Sequence, residues 1–373
     1  MLLRSLNITN FKNIESAALE FSPKINGLLG LNGMGKSNLL DAIYTLSFTK
    51  SFCRVTDAML LRRGEDFALV RGCYLRRGAE EELALGLGLG RRKSLKRKGK
   101  EYQRMSEHIG AFPLVMLSPA DVDLVREAPE ERRRWMDMVV AQGDPRYLDA
   151  LIRYSRALEQ RNRMLREGSG DFALFEAVEQ MMQEPAEYLT EARAAFIERL
   201  LPVFRGYYER ISGEGEEVGL SYSSQLLSEP GGVGGFAALL DRNRERDRLL
   251  RHTSVGPHRD DIILTLSGME MRRTGSQGQC KTFMIALRLA QYEFLAEATG
   301  MKPLLLLDDV FDKLDARRVE RIVRLVEDPS FGQIFITDTN RSHLDEIMTR
   351  TAGDYRLWEV DGGRFTPLSH EKD

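Results

Sequence analysis

Gly30-Leu31-Asn32-Gly33-Met34-Gly35-Lys36-Ser37 fits the phosphate-loop pattern G-x-x-x-x-G-K-[ST] without a mismatch. A short apolar run at 25–29 precedes it and indicates a buried strand, and residues 38–46 follow with the apolar spacing of a helix. Loop N–H groups at a helix N-terminus point at phosphate, and the helix dipole favours negative charge there. The stretch therefore predicts a nucleotide site in which Lys36 reaches the β- and γ-phosphates and Ser37 Oγ binds Mg²⁺.

A second apolar run, residues 303–307, ends in the adjacent carboxylates Asp308 and Asp309. Two acids at a strand end can simply start a turn, but after a phosphate loop this pattern indicates a Walker B element. Asp308 would then hold Mg²⁺, directly or through water, and Asp309 could polarise the attacking water. The last apolar run, residues 333–337, leads to residues 337–339, which we expect near the γ-phosphate.

A serine–glycine turn opens a long helical segment that ends at Gly300. The turn contains Ser276, Gln277, Gly278 and Gln279, and it predicts a second helix N-terminus that can bind an anion. One ATP does not need two such sites from one chain, whereas two chains that face each other would use both. The sequence therefore favours two copies of the chain that face each other across the nucleotide.

The bulk properties describe an ordinary globular chain of 373 residues with a formal net charge of −2. No global field attracts nucleic acid, so any DNA contact must come from local basic patches. The cysteines, Cys53, Cys73 and Cys280, match no metal spacing and favour a reducing compartment. The N-terminal residues lack a signal peptide, and no apolar run approaches the roughly 20 residues of a membrane span. We expect a cytoplasmic protein.

The composition divides the chain into two kinds of segment. Residues 1–117 and 252–373 are rich in strand patterns, whereas residues 118–251 are dominated by helical spacing without sustained heptads. We predict an α/β fold in which a split ATP-binding domain, with a mixed antiparallel and parallel sheet structure, contains an inserted α-helical domain.

Three segments are strongly basic. Residues 91–100 contain seven lysines and arginines, and they indicate either a solvated hairpin tip or a loop that contacts DNA phosphates. Residues 132–134 and 242–251 place arginines on helices, where a solvated, salt-bridged face is the favoured interpretation. Three consecutive arginines spread around a helix, so those at 132–134 cannot all face one partner.

In this order, the motifs resemble the ABC ATPase class, and within it the RecF family of bacterial recombination mediators. The residues that carry the resemblance are Phe11-Lys12-Asn13, Gly30–Ser37, Ser118-Pro119-x-Asp121, Pro129-x-x-Arg132-Arg133-Arg134, Gly256-Pro257-His258-Arg259-Asp260-Asp261, Ser276-Gln277-Gly278-Gln279 and Leu306-Leu307-Asp308-Asp309. The hexapeptide at 256–261 and the tetrapeptide at 276–279 are the most discriminating.

The resemblance implies ATP-dependent dimerisation on DNA at gaps or single-strand/double-strand junctions, with weak DNA-stimulated ATP hydrolysis. It also implies work with RecR and RecO in loading RecA, in DNA repair, replication restart and the SOS response. The predicted nucleotide-binding residues are Lys12, Asn13, Gly30, Asn32, Gly33, Gly35, Lys36, Ser37 and Asn38, together with Ser276, Gln277, Gly278 and Gln279 of the other copy. The predicted metal ligands are Ser37 and Asp308, and the predicted catalytic residues are Lys36, Asp308 and Asp309.

The sequence departs from the wider ABC pattern in two places. Asp338 or Thr339 stands where many ABC ATPases have a histidine, and Asp309 replaces the glutamate of transporters; the RecF family shares both features, and both suggest slow hydrolysis. Three other functions stay open at this point: a transporter ATPase subunit, an SMC-like head, and a nucleotide-binding scaffold without turnover. The presence of a helical insert and the absence of that histidine argue against a transporter subunit. The absence of long heptad arms argues against an SMC-like head.

Overall fold

The computed structural model describes residues 1–126, 128–213, 215–228, 235–312, 314–342, 344–345 and 355–368. The chain forms two compact units. The first contains Met1–Asp121, Arg210–Ser212 and Lys281–Asp373, and the second contains Val122–Glu209 and Gly213–Cys280. In the part of the chain that is described, no helix has the length and apolar character needed to cross a membrane.

The elements follow one another in this order along the chain. The first part contains β1 (Leu2–Phe11), β2 (Ile14–Glu20), β3 (Ile25–Leu29), α1 (Lys36–Phe48), β4 (Phe67–Arg76), β5 (Ala79–Gly88), β6 (Ser94–Arg97), β7 (Lys100–Glu101) and β8 (Leu114–Leu117). The middle contains α2 (Asp123–Arg126), α3 (Pro129–Gly143), α4 (Pro145–Glu167), α5 (Phe172–Ser212), β9 (Val218–Ser223), α6 (Phe236–Leu250), β10 (Asp261–Leu266), β11 (Met269–Glu270), α7 (Met271–Thr274) and α8 (Gln277–Thr299). The last part contains β12 (Leu304–Leu307), α9 (Ala316–Val326), β13 (Ile334–Asp338), β14 (Tyr355–Asp361) and β15 (Arg364–Pro367).

Two six-stranded sheets build the first unit. One is antiparallel, with the order β2-β1-β4-β5-β6-β7. The other has the order β15-β14-β3-β13-β12-β8, in which β14, β3, β13, β12 and β8 run parallel and β15 is antiparallel to β14. The predicted mixture of antiparallel and parallel β-structure is confirmed. Because carboxyl ends of parallel strands share one edge, the phosphate loop after β3 and the carboxylates after β12 leave the sheet on the same side.

Helix α1 packs between the two sheets and contacts β1, β4 and β5 on one side and β8 and β13 on the other. The sequence indicated one apolar face, but residues 39–48 are all buried. Polar side chains on the remaining faces therefore need partners inside the protein. Asp41, for example, accepts hydrogen bonds from Ser51 Oγ at 2.7 Å and from the backbone N–H of Phe52 at 2.7 Å.

Two helices of the second unit begin at prolines. Pro129 and Pro145 are the first residues of α3 and α4, because a fixed φ and a missing N–H suit the first helical position. Helix α5 ends at Gly213, which adopts a left-handed φ of 65°. The sequence also predicts a flexible glycine-rich loop at 231–235, which falls almost entirely outside the described residues.

The second unit also contains a three-stranded antiparallel sheet, in the order β11-β10-β9. Within residues 118–251, where the sequence predicts an inserted α-helical domain, residues 218–223 form strand β9, in which Val218 and Leu220 are buried and pair with β10. Residues 252–280, assigned to the ATP-binding domain from the sequence, lie largely in the second unit. The domain boundaries themselves stay a prediction.

The hexapeptide at 256–261 lies in a buried polar network of the second unit. Arg193, which is 2% exposed, donates from Nη1 to the carbonyl of Pro257 at 2.7 Å and lies 3.4 Å from Asp260 Oδ2. Its Nη2 donates to Asp137 Oδ1 at 2.8 Å. Removal of one partner from a buried ion pair leaves an uncompensated charge, so we expect these residues to depend strongly on one another.

Steric constraints hold the same hexapeptide in place. Gly256 has a φ of 114°, and a Cβ there would lie 2.6 Å from the hydroxyl of Tyr154. That hydroxyl shares a hydrogen bond of 2.7 Å with His258 Nδ1. Burial lowers the pKa of His258 to about 4, which keeps the imidazole neutral. The most discriminating motif of the sequence thus has a structural role in this unit.

The arginines at 132–134 have three separate partners, as their spread around the helix predicts. Arg132 is buried and pairs with both oxygens of Asp261, at 2.7 and 3.0 Å. Arg133 donates to the carbonyl of Asp260 at 2.7 Å, and Arg134 pairs with two glutamates of its own helix. The expectation of a solvated face is correct for Arg134 and wrong for Arg132.

Candidate nucleotide-binding site

Four side chains from distant parts of the first unit meet where the phosphate loop passes into α1. Ser37 Oγ donates to Asp308 Oδ1 at 2.9 Å, and Thr337 Oγ1 lies 2.7 Å from the same oxygen. Thr337 Oγ1 also lies 3.4 Å from Asp309 Oδ1 and accepts from the backbone N–H of Asp309 at 2.9 Å. The predicted metal ligands Ser37 and Asp308 are therefore neighbours, together with the predicted Asp309.

Both carboxylates have raised pKa values. For Asp308 the main cause is burial, which the hydrogen bonds from Thr337 and Ser37 partly oppose. For Asp309 the main cause is again burial, opposed by the ammonium of Lys36 and assisted by the charge of Asp338. Asp309 also has a positive φ of 45°, an uncommon conformation for a residue other than glycine. Such a combination of burial, charge and unusual backbone is typical of functional sites.

Lys36 begins α1 and turns back over the loop. Its Nζ donates to the carbonyls of Gly30 at 2.8 Å and Leu31 at 3.2 Å, and the residue is 4% exposed. Asn32 and Gly33, at the tip of the loop, are exposed. The loop therefore places one ammonium group inside its curve and leaves its tip open to solvent.

Asn13 forms hydrogen bonds with the phosphate loop and with Asn38 of α1. Its Nδ2 donates to the carbonyl of Met34 at 3.2 Å, and its Oδ1 accepts from Asn38 Nδ2 at 2.8 Å. Gly35 has a φ of 114°, and a Cβ there would lie 2.8 Å from the Asn13 amide. Asn13 and Asn38, both predicted to bind the nucleotide, are thus joined to each other next to the loop.

The hairpin β14–β15 also supports the loop, and the sequence analysis missed it. The N–H of Gly363 donates to the carbonyl of Met34 at 2.8 Å. A Cβ on Gly30 would lie 2.4 Å from the carbonyl oxygen of Val360, which shows how closely β14 passes the loop. The signal was present in Asp361-Gly362-Gly363, a turn sequence between two runs with alternating apolar residues.

Lys12, the other predicted binding residue of the first hairpin, forms an ion pair of 2.6 Å with Asp41. It lies at the rim of an open groove of about 540 Å³. The residues that line this groove are Lys12, Asn13, Met59, Leu61, Arg62 and Arg63. The groove borders the loop because Asn13 belongs to both.

Asp338 is the last residue of β13, and Thr339 follows it. Asp338 is buried and accepts from the N–H of Asn340 at 2.8 Å, so its side chain supports the turn after the strand. Thr339 lines a second open cavity, of about 550 Å³, with Gly30 and Leu31. Of the three residues predicted near the γ-phosphate, Thr337 is the one that contacts the carboxylates.

The predicted signature lies at the start of α8, in the second unit. Ser276 Oγ accepts from the N–H of Gln279 at 3.2 Å, and Gln279 Oε1 accepts from the N–H of Ser276 at 2.8 Å. This reciprocal pair is a capping box. Gln279 Nε2 also donates to Glu216 Oε1 at 2.6 Å. Gln277 and Gly278 lie between the two capping residues, in the first turn of the helix.

The oxygens at the carboxylate edge fit Mg²⁺. Ser37 Oγ and Asp308 Oδ1 are hard ligands next to a phosphate loop, and Mg²⁺ in nucleotide sites is held through one or two protein oxygens plus phosphate and water. In the described parts of the chain, no group of three or more histidine, cysteine, aspartate or glutamate side chains could hold a metal ion.

Comparisons with known proteins show the family of the chain. Residues 2–356 match the family RecF/RecN/SMC N terminal domain. The DNA replication and repair protein RecF of Parabacteroides distasonis is 48% identical over 368 residues, which cover 99% of this chain and 100% of that protein. RecF of Bacteroides thetaiotaomicron is 45% identical over 374 residues, with 100% of each chain covered.

Solved structures show the same relationship. The recombination mediator protein RecF with ATP, from the RecFOR pathway, is 29% identical with a TM-score of 0.88, and 99% of this chain and 98% of that chain are covered. An Smc head domain derived from Pyrococcus furiosus, bound to the C-terminal domain of ScpA, is 18% identical with a TM-score of 0.60 over 100% and 97% of the chains, and shares the fold. The chain has the α/β fold of an ABC-type ATPase head, as the sequence predicts, and it belongs to the RecF family of DNA replication and repair proteins.

Proposed function

We propose that this protein is an ATP-dependent DNA-binding recombination mediator with a weak, DNA-stimulated ATPase activity. The observation that carries the proposal is the meeting of Ser37, Asp308, Asp309 and Thr337 at the end of a phosphate loop. Together with the RecF–ATP structures among the relatives, it supports ATP as the nucleotide.

In the proposed site the loop residues Gly30–Ser37 bind the phosphates. Lys36 Nζ exchanges its two carbonyl partners for phosphate oxygens, a stronger, charge-assisted interaction. The nucleoside lies against Lys12 and Asn13, beside the groove that these residues line. Mg²⁺, held by Ser37 and Asp308, would neutralise charge on the phosphates. Asp309 orients the attacking water, and its raised pKa suits a group that must accept a proton.

We propose further that Ser276, Gln277, Gly278 and Gln279 of a second copy complete the site. Their N–H groups lie at the N-terminus of a 23-residue helix, where the dipole favours the γ-phosphate. Ser276 Oγ would exchange its capping bond for the nucleotide. Hydrolysis removes the charge that this turn binds, so the ATP and ADP states differ in dimer affinity, which is what a switch requires.

The cellular role follows from the family. RecF relatives are named for DNA replication and repair, and the structural relatives for recombination mediation in the RecFOR pathway. On that support we propose that the dimer assembles on gapped or junction DNA, works with RecR and RecO to load RecA, and acts in DNA repair, replication restart and SOS induction. The proposed compartment is the cytoplasm.

Measurement of ATP hydrolysis with and without gapped duplex DNA tests the proposal. The unsubstituted protein should hydrolyse ATP slowly, and DNA should raise the rate. Lys36→Met should lower the DNA-stimulated rate roughly 10²–10³-fold, because it removes one charged contact to the reacting phosphates. Lys50→Met removes an exposed lysine just after α1 and should leave the rate unchanged. Hydrolysis that ignores DNA, or that survives Lys36→Met, would contradict the proposal.

A further inference from the structure

The strongest local charge of the chain lies on the hairpin formed by β6 and β7 and the loop before it. We call residues 91–101 the basic hairpin. It contains seven lysines and arginines and one glutamate, a formal charge of +6 (7 − 1) in a chain whose net charge is −2. The rest of the protein therefore sums to −8 (−2 − 6), so the basic hairpin is a local positive region on an acidic molecule.

Internal ion pairs occupy part of this charge. Lys93 Nζ lies 3.0 Å from Asp57 Oδ2. Arg97 Nη2 and Lys98 Nζ lie 2.7 and 3.3 Å from the two oxygens of Glu81, which is buried. These three cations anchor the basic hairpin to the first unit and hold it in a defined position.

The other four cations of the basic hairpin are exposed: Arg91, Arg92, Lys96 and Lys100. Within the described residues, none of the four has a carboxylate within ion-pair distance. Four exposed cations on a hairpin that three ion pairs keep in place form an anion-binding surface whose backbone does not have to be ordered on binding.

The antiparallel sheet extends this surface. On the face opposite to α1, Arg71, Ala84 and Lys96 lie in one row across β4, β5 and β6. The two cations are thus separated by two strand spacings, about 9.5 Å, with a small side chain between them. A Cβ on Gly88 would contact the aliphatic part of Arg91 at 3.3 Å, which places Arg91 over the same face. Glu82 lies 3.8 Å from Arg71, so the positive charge of Arg71 is partly neutralised, unlike the charges of Arg91 and Lys96.

The arginine-rich helices carry much less free charge. Helix α3 contains three arginines and three acids, a sum of zero, and α6 contains four arginines and three acids, a sum of +1. Arg132 and Arg244 are engaged in ion pairs. In α6 and its C-cap, Arg246 and Arg251 are exposed without an ion pair among the described residues.

We infer that the basic hairpin and the adjoining outward face of the antiparallel sheet bind the phosphate backbone of duplex DNA. The inference rests on the proposed function and assigns its DNA contact to one surface. Charge complementarity selects a polyanion. Along β1, β2, β4, β5, β6 and β7, which are described throughout, Phe67 is the one exposed aromatic residue of the outward rows, so the face offers no series of aromatic rings on which single-stranded bases could stack. Phosphate contacts of this kind position a duplex without reading its sequence.

Fluorescence anisotropy with a labelled duplex, in ATP and over a range of potassium chloride concentrations, tests the inference. Each phosphate contact contributes about 0.9 to the slope of log K against log salt. Arg91→Ala with Arg92→Ala should therefore lower the magnitude of the slope by about 1.8, and Lys96→Ala by about 0.9. Arg246→Ala with Arg251→Ala, a matched removal of two exposed arginines, should leave the slope unchanged. Binding of a fluorescent ATP analogue should be the same in all of these variants.

An unchanged salt slope in the variant with both Arg91 and Arg92 replaced would overturn the inference. A lower salt slope in the Arg246/Arg251 variant, with no change in the Arg91/Arg92 variant, would overturn it as well. If the substitutions lowered the salt slope for single-stranded DNA but not for duplex DNA, duplex DNA would be the wrong ligand for this surface. An absence of DNA binding by the unsubstituted protein is a different result, because it contradicts the proposed function itself.

Discussion

The N–H of Gly363 donates to the carbonyl of Met34 across 2.8 Å and so joins the last hairpin of the described chain to the phosphate loop near its start. The same carbonyl also accepts from Asn13 Nδ2 at 3.2 Å. Two elements from opposite ends of the sequence therefore hold one peptide unit of the loop. Because the loop binds phosphate through its backbone, its shape depends on these two supports.

Gly363→Ala should weaken ATP binding. Gly363 has a φ of 83°, and a Cβ there would lie 2.4 Å from the carbonyl oxygen of Asn13, so the hairpin must move away from the loop. Gly362→Ala is the matched control, since Gly362 also has a positive φ but nothing lies within 4 Å of its Cβ position. We expect Gly362→Ala to lower the free energy of unfolding by about 1–2 kcal/mol without changing ATP affinity. Calorimetry that finds equal ATP affinities for the two variants would contradict the supporting role of Gly363.

Thr337→Val should lower kcat for ATP hydrolysis more than it changes KM. The substitution keeps the shape of the side chain but removes a hydroxyl that contacts Asp308, Asp309 and the N–H of Asp309. Loss of such a buried partner costs about 1–3 kcal/mol, which corresponds to a decrease in kcat of about 5- to 150-fold. Thr339→Val, two residues further on and exposed, should have a much smaller effect. Steady-state kinetics that give equal kcat values for both variants would show that Thr337 does not organise the carboxylates.

Arg193→Met should destabilise the protein strongly. It leaves the carboxylates of Asp137 and Asp260 without their buried counter-charge, which costs about 3–5 kcal/mol. Arg153→Met breaks ion pairs of an exposed arginine with Asp149 and Glu184 and should cost about 0–1 kcal/mol. Urea unfolding monitored by circular dichroism measures both values. A loss below about 1 kcal/mol for Arg193→Met would show that the network is dispensable.

His108 should make the protein sensitive to acid. It is fully buried, Nε2 lies 2.6 Å from the carbonyl of Leu46, and burial lowers its pKa to about 4. In the unfolded chain its pKa is about 6.5, so the unfolded state binds the proton first as pH falls. The free energy of unfolding should therefore decrease between pH 6.5 and 4, by about 3 kcal/mol from this group.

Comparison of the protein with His108→Gln checks this expectation. Glutamine can donate to the same carbonyl but does not titrate, so the variant should lose less stability than the unsubstituted protein between these pH values. Identical pH dependences in chemical unfolding would show that His108 contributes nothing to the loss.

The sequence predicts the site best where local patterns set it. The phosphate loop, β3, α1 and the carboxylates after β12 depend on short-range signals, such as glycine spacing and apolar runs, and each was found at or near its predicted residues. The meeting of Ser37 with Asp308 follows from the rule that parallel strands share one edge for their carboxyl ends.

Other features could not be read from local patterns because they depend on long-range packing. The hairpin β14–β15 supports the loop through backbone contacts at Val360 and Gly363, and a backbone contact leaves little trace in side-chain composition. The burial of Arg132 depends on Asp261, a partner 129 residues away. Strand β9 has too few apolar residues to be recognised as a strand within a helical segment. It is defined by its pairing with β10.

We propose that ATP joins two copies of the chain through Ser276–Gln279. Light scattering of the protein with ATP, with ADP and without nucleotide tests it most directly, with Ser276→Arg measured in parallel. We predict a dimer in ATP and a monomer in the other two conditions. Ser276→Arg should bind ATP with unchanged affinity and remain a monomer, because the larger side chain occupies the place of the γ-phosphate at the helix N-terminus. A Ser276→Arg variant that dimerises normally in ATP would contradict the account.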